Sequence, residues 1–179
     1  MIVELNGQAG VGKFTIGRIL AELLGARLLD NHTIYNPAFA TTEFRSPEFY
    51  ETVRAVRKIA FERATELPAN VPVIVTMAPG TNRAWGEEWQ TAFRELANAR
   101  RSRLVTVHLT CAEAELHRRL VTPERALMRK LTDVTALAAL ADRPALLDHA
   151  DAVLELDVGS LSPEASAQSI VAWLDECGT

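Results

Sequence analysis

The sequence predicts an α/β fold, a parallel β-sheet covered by helices on both faces. Three observations predict it. Stretches of strand character alternate with stretches of helical periodicity along the chain, the pattern that builds a parallel sheet through crossover helices. Val71–Met77 is a continuous apolar run, as in a strand buried on both sides. The first apolar run, Ile2-Val3-Glu4-Leu5, leads directly into the glycine-rich Gly7–Lys13 and from there into a helical pattern.

Each element has its own local reason. Ile16, Ile19, Leu20, Leu23 and Leu24 share one face of the first helix, and Gly25 sits where a terminating glycine belongs. Ala26–Asp30 reads as a short second strand, and 32–40 as loop with a short helix. Ser46-Pro47-Glu48 supplies a capping serine, a proline in the first helical position and an acid in the first turn. The helix it opens runs to about Glu66. Pro72 cannot donate to a sheet ladder, so the third strand starts at or after it. A turn over Ala78–Asn82 precedes a helix over Ala84–Ala99 with Trp85, Trp89, Phe93 and Leu96 on one face. Leu104–Leu109 is the fourth strand, and Thr110 with Glu113 forms a capping-box pattern for a helix through Leu120. Thr122–Thr132 is polar and basic, and Asp133–Ala141 is a short alanine-rich helix. Ala152–Leu156 is the fifth strand. Ser162-Pro163-Glu164 opens the last helix, which turns Ile170, Val171 and Leu174 inward.

Gly7-Gln8-Ala9-Gly10-Val11-Gly12-Lys13 has the G-x-x-x-x-G-K spacing of a phosphate-binding loop. Glycines let the backbone turn its N–H groups around a phosphate, the following helix N-terminus adds partial positive charge, and Lys13 adds a full one. The expected ligands are ATP and Mg²⁺, with Gly7, Ala9, Gly10, Val11, Gly12, Lys13, Phe14 and Thr15 as the nucleotide-binding set. One position departs from the pattern. A Ser or Thr usually follows the lysine and binds Mg²⁺ through its hydroxyl; here Phe14 stands there and the hydroxyl comes one residue later, at Thr15.

The 179 residues, 48% hydrophobic, suffice for one globular domain over 1–179 with its own core. A net charge of −4, with no long basic run, gives no electrostatic footprint for nucleic acid. Two cysteines make no disulfide framework and no zinc spacing. With a strand starting at residue 2 and no apolar run of membrane length, the expectation is a cytoplasmic protein, monomer or homodimer, without a membrane partner.

Ligands of a parallel sheet bind outside the carboxyl ends of its strands. Asp30, after the second strand, is the candidate general base or Mg²⁺ ligand through water, and the alternative is a strand-end cap. His32 could be the base instead, or hydrogen-bond the acceptor. Arg118, Arg119, Arg125, Arg129 and Lys130 suggest a basic lid over about 118–132, with Arg125 matching charge on a transferring phosphoryl group; the alternative is a solvated basic face. His108 reads as a core histidine, His149 as part of an acidic loop, and Cys111 as a small buried residue.

The chain resembles the small P-loop kinases, the shikimate and gluconate kinases and neighbouring antibiotic phosphotransferases. The resemblance spans Gly7–Lys13, Asp30 to His32, the Arg118–Lys130 lid and the stretch from Leu156-Asp157 to Ser162-Pro163-Glu164. It is more similar still to bacterial ATP-binding proteins labelled shikimate-kinase-like, through Gly12-Lys13-Phe14-Thr15, Asn31-His32 and Thr122–Arg125. The resemblance implies a P-loop NTPase fold with strand order 2-3-1-4-5, acceptor-side helices over about 33–68, and γ-phosphoryl transfer to a small-molecule hydroxyl. It assigns His32, Arg54 and Gly80 to the acceptor. The acceptor half departs from shikimate kinase. Asp-x-Asp becomes Asp30-Asn31-His32, three glycines become Ala78-Pro79-Gly80, and of Phe-Arg-x-x-Glu only Arg54 carries over. Shikimate is therefore not the implied acceptor. A nucleotide-binding regulatory module without efficient transfer is the alternative function.

Overall fold

The computed structural model describes residues 1–78, 82–120 and 147–178. Five strands, β1 (Ile2–Asn6), β2 (Arg27–Leu29), β3 (Val73–Met77), β4 (Leu104–Thr110) and β5 (Ala152–Asp157), form one parallel sheet in the order β2-β3-β1-β4-β5. The described helices are α1 (Lys13–Leu24), α2 (Asn31–Thr41), α3 (Pro47–Thr65), α4 (Arg83–Ala99), α5 (Glu113–Leu120) and α6 (Pro163–Glu176). The helix-covered parallel sheet is the one the alternating pattern predicts, and its strand order is the one the resemblance implies.

Every residue of β1 and β3 is buried, because helices cover both faces of the central strands. On one face Val3, Leu5, Ile74, Val105 and Val107 pack with Ile16 and Leu20 of α1 and Ile170 and Leu174 of α6. On the other, Ile2, Val73, Val75 and Leu104 pack with Ile34 of α2, Phe49 and Val53 of α3, and Trp89 and Phe93 of α4. Burial of this kind is worth roughly 25 cal/mol per Å² of apolar surface and is the main term holding the layers together.

Local signals set most boundaries. Gly25 closes α1 at φ 59°, and the Ala26 N–H reaches back to the Ala21 carbonyl at 2.9 Å, a Schellman closure. Ser46 and Ser162 accept from the Phe49 and Ala165 amides, each 3.1 Å away. Three expectations are corrected. Residues 31–41 are one helix, not a loop with a short helix, although Pro37 lies inside it. Asp30 caps its start, Ile34 and Ala38 bury one face, and together they outweigh the hydrogen bond that Pro37 cannot donate. The capping box at Thr110 does not form: Thr110 stays in β4, and the Leu116 N–H bonds to the Ala112 carbonyl, so α5 starts two residues later. Leu23, expected to face inward, is 53% exposed. The basic segment 122–132 and the helix expected over 133–141 lie outside the described residues.

A carboxylate lies in the centre of the sheet. Glu4 of β1 has no exposed surface. Its oxygens accept from Asn6 Nδ2 (2.9 Å) and Thr106 Oγ1 (2.8 Å), and Oε2 lies 2.7 Å from His149 Nε2. Arg94 of α4 donates to the His149 carbonyl and pairs with Asp151 at 2.9 Å, while Asp151 accepts from the Leu104 amide. His149, read from sequence as part of an acidic loop, is therefore the partner of a core carboxylate. A buried carboxylate is tolerated only when paired and hydrogen-bonded.

Glu4→Ala leaves Asn6, Thr106 and His149 without their acceptor, and the expected loss is about 3–5 kcal/mol of unfolding free energy. Urea denaturation measures it. A loss below about 1 kcal/mol would mean that the network contributes no more than an ordinary neutral hydrogen bond.

Candidate active site

The loop between β1 and α1 is shaped by what it cannot contain. At Gly7 the backbone has φ +141°, and a Cβ there would lie 2.4 Å from the Leu109 carbonyl oxygen of β4. No side chain fits, so the chain can leave the sheet at this point only through glycine. Gly12 ends the loop at φ 111° and is the N-cap of α1. It brings no capping side chain, and α1 has no acid in its first turn. By contrast α2, α3, α4 and α6 start on Asp30, Ser46, Asn82 and Ser162, each accepting a backbone N–H. The amino end of α1 thus offers its partial positive charge to the loop rather than to a cap of its own. Val11 is buried within the core on the α1–α6 side and pins the loop from below.

Lys13 Nζ donates to the Gly7 and Gln8 carbonyls at 2.5 and 2.8 Å, so its charge is folded over the loop. Arg119 braces the same loop from α5. It donates to the Val11 carbonyl (3.2 Å), to the Val158 carbonyl after β5 (3.3 Å) and to Glu115 (2.6 Å). Arg118 also bonds Glu115, at 2.8 Å, and the two arginines pull that carboxyl down to about 2. The described end of the expected basic lid is therefore helix α5, with both arginines bonded to Glu115. Phe14 is half-buried and Thr15 is exposed in the first turn of α1.

Asp30 stands at the carboxyl edge of β2, 6% exposed. Oδ2 accepts the His32 amide (3.2 Å) and Oδ1 accepts Thr76 Oγ1 (2.9 Å), while the Asn31 amide donates to that same hydroxyl at 2.8 Å. Thr76, from β3, ties the ends of two strands together, and nothing local in the sequence marks it. Asp30 caps α2, and each carboxylate oxygen retains a lone pair. His32 is half-buried in the first turn of α2, its ring 6.3 Å from that of Phe39.

Arg54 lies farther along α3. Its Nε and Nη2 clasp Glu88 of α4 at 3.0 and 2.8 Å, and Arg57 bonds the same carboxylate at 2.6 Å. Burial holds the Cys111 thiol above its ordinary value, in keeping with an inert side chain, and lowers His108, the neighbour of Asn6 across the β1–β4 ladder. Gly80 and Arg125 lie outside the described residues. Among the described residues no group of three or more His, Cys, Asp and Glu side chains could hold a metal ion, and no helix is long and apolar enough to cross a membrane.

The loop, Asp30 and Thr76 thus meet at the carboxyl ends of three adjacent strands. Solved structures with a similar fold include the tunicamycin resistance protein of Deinococcus radiodurans (17% identity, TM-score 0.65, 97% of this chain and 94% of that one). The APS kinase of Mycobacterium tuberculosis, solved with AMPPNP and APS, is 18% identical at TM-score 0.62, covering 97% and 96%. The fold is that of the small P-loop kinases. The shikimate kinase of Bacteroides thetaiotaomicron, 21% identical, matches at TM-score 0.60 over 98% of both chains. No family model and no curated protein matches this chain. At these identities the likeness establishes the P-loop fold and leaves the acceptor to be argued from the chain's own residues.

Gly7→Ala must displace the β4 carbonyl or abandon its φ. It is expected to lower the melting temperature by several degrees, about 4–8 °C per kcal/mol for a small domain and less for a chain of this length, and to abolish ATP binding by calorimetry. A variant as stable as wild type with intact ATP affinity would show that the close approach at Leu109 is not a constraint.

Proposed function

We propose that this protein is an ATP-dependent kinase that moves the γ-phosphoryl group of ATP to a hydroxyl of a small molecule. One observation carries the proposal: a glycine-shaped loop between β1 and α1 that ends at a helix without a side-chain cap and holds Lys13. Such a cradle suits a polyphosphate. In the reading offered here the amides of Ala9–Thr15 receive the β- and γ-phosphates. Lys13 exchanges its two carbonyl acceptors for phosphate oxygens, which costs the loop little because charge-assisted bonds replace neutral ones.

Transfer requires that the acceptor O–H lose its proton as its oxygen attacks the γ-phosphorus and the bridging oxygen departs with ADP. Asp30 is the candidate to take that proton or to hold the hydroxyl in line, using the lone pairs that His32 and Thr76 leave open. His32 is the second candidate. Arg125 is assigned to the developing charge on the phosphoryl oxygens, and His32, Gly80 and Arg54 remain the resemblance-based candidates for the acceptor side. Mg²⁺ neutralises phosphate charge when bound. Residue 14 has no oxygen to offer it, so the metal fits here only if phosphates and water supply most ligands, with Asp30 reaching it through water.

Phe14 also favours a second reading, a regulatory module that binds ATP without efficient transfer. A turnover assay against hydroxyl-bearing metabolites separates the two. Lys13→Ala is expected to weaken ATP binding at least tenfold, the equivalent of about 1.4 kcal/mol. Asp30→Asn preserves shape and capping, since Asn is as good a cap as Asp, and is expected to keep ATP affinity while slowing transfer by about 10²-fold or more. Unchanged transfer in Asp30→Asn would move the role to His32. Absence of any phosphorylated acceptor, with ATP binding intact, would favour the regulatory module.

A further inference from the structure

We infer that His108 is a further residue of the phosphate site, one that takes up a proton when a polyphosphate fills the loop; this rests on the cradle reading above. His108 pairs in register with Asn6 of β1 on one side and with Glu155 of β5 on the other. Asn6 ends β1, and the next residue is Gly7, whose carbonyl accepts Lys13 Nζ at 2.5 Å. The ammonium is thus held one residue beyond the rung that carries His108. The imidazole is half-buried, and its Nδ1 is buried without a hydrogen-bond partner. Asn6 Oδ1, on the adjoining residue, is in the same condition, because the Glu4 carboxylate accepts from the Nδ2 end of that amide. A neutral ring can leave Nδ1 bare. An imidazolium carries a proton there, and Asn6 Oδ1 is the unused acceptor beside it, reached directly or through one water.

The charges that bear on the ring come, among the described residues, from separate elements. Burial, above all, holds His108 below its ordinary value; Lys13 adds to that, and Glu155 of β5 and Glu4 of β1 work against it. Behind Glu4 stand His149, bonded to it, and Arg94 of α4, paired with Asp151. A polyphosphate alters one side of this balance. It brings negative charge to the loop and draws the Lys13 ammonium off the Gly7 carbonyl, while burial, Glu155 and Glu4 stay as they are. Both changes favour the charged ring. The complex then holds more protons than the free protein. ATP affinity therefore rises as the pH falls through the interval between the free and bound values of His108, and each unit between them is worth about tenfold in affinity.

Calorimetry of MgATP binding in buffers of different ionisation enthalpy, at saturating magnesium, counts the protons exchanged. Wild type is expected to take up roughly half a proton per ATP near neutral pH, and to bind several times more tightly at about pH 6 than at about pH 8. His108→Gln cannot gain the charge. It is expected to lose the uptake and to show, at both pH values, an affinity close to that of wild type at the higher one. Protonation of ATP itself is common to both proteins and cancels in the comparison. The imidazole proton signals of His108 in wild type, titrated by NMR with and without MgATP, give the answer without a substitution: the midpoint is expected to move upward on binding. Equal uptake in both proteins, proton release, or a His108 midpoint unmoved by MgATP would each overturn the inference. Absence of any heat or shift change on adding MgATP would sink the cradle reading and the inference with it, an outcome distinct from binding without proton uptake.

Discussion

The close approach of β1 to β4 at Gly7 is the constraint on which the rest of the structure depends. The chain must leave the sheet where a β-carbon would strike the Leu109 carbonyl, and it must do so with a positive φ. Glycine meets both demands, and the loop that follows can wrap closely enough to end on Gly12 at the start of α1. Everything at the mouth is arranged around that exit. Lys13 folds over the loop, Arg119 braces it from α5, and Val11 anchors it in the core. These contacts hold the path of the loop before any ligand arrives, so on the proposed reading binding has little ordering entropy to overcome.

The strand that delivers the loop is held by an unusual device. Asn6, the residue before Gly7, bonds Glu4 inside the sheet, and Glu4 is tied to β4 through Thr106 and to the approach of β5 through His149. A leucine in place of Glu4 would give an equally buried strand. The carboxylate instead links three separate chain segments by directional bonds, which specify register where apolar contacts alone would allow small shifts. The cost is that removing any partner leaves a charge or a polar group stranded in the core.

Much of this was legible in the sequence because its cause was local. The glycine-rich loop between β1 and α1, the glycine closing α1, the serine caps of α3 and α6, and the start of β3 after Pro72 all follow from residues within a few positions of one another. The alternation of strands and helices gave the sheet. What escaped had causes far away in the chain. Pro37 argued against a helix, and only the buried face of Ile34 and Ala38 overrides it. Thr76 meets Asp30 46 residues away, and Glu4 meets His149 across 145. Arg54 carried a role by resemblance, but its position in the α3–α4 seam depends on Glu88, 34 residues on, which no periodicity couples to it. The expected roles of Gly80 and Arg125 rest on sequence alone.

On the proposed reading the β1–α1 loop is a polyphosphate cradle whose lysine is held in reserve by the loop's own carbonyls. A crystal structure with AMPPNP and Mg²⁺ is the decisive measurement. Phosphate oxygens are expected about 2.7–3.2 Å from the backbone nitrogens of Ala9–Thr15, with Lys13 Nζ moved from the Gly7 and Gln8 carbonyls onto phosphate. Nucleotide bound elsewhere, or bound at the loop with Lys13 still on those two carbonyls, would contradict it.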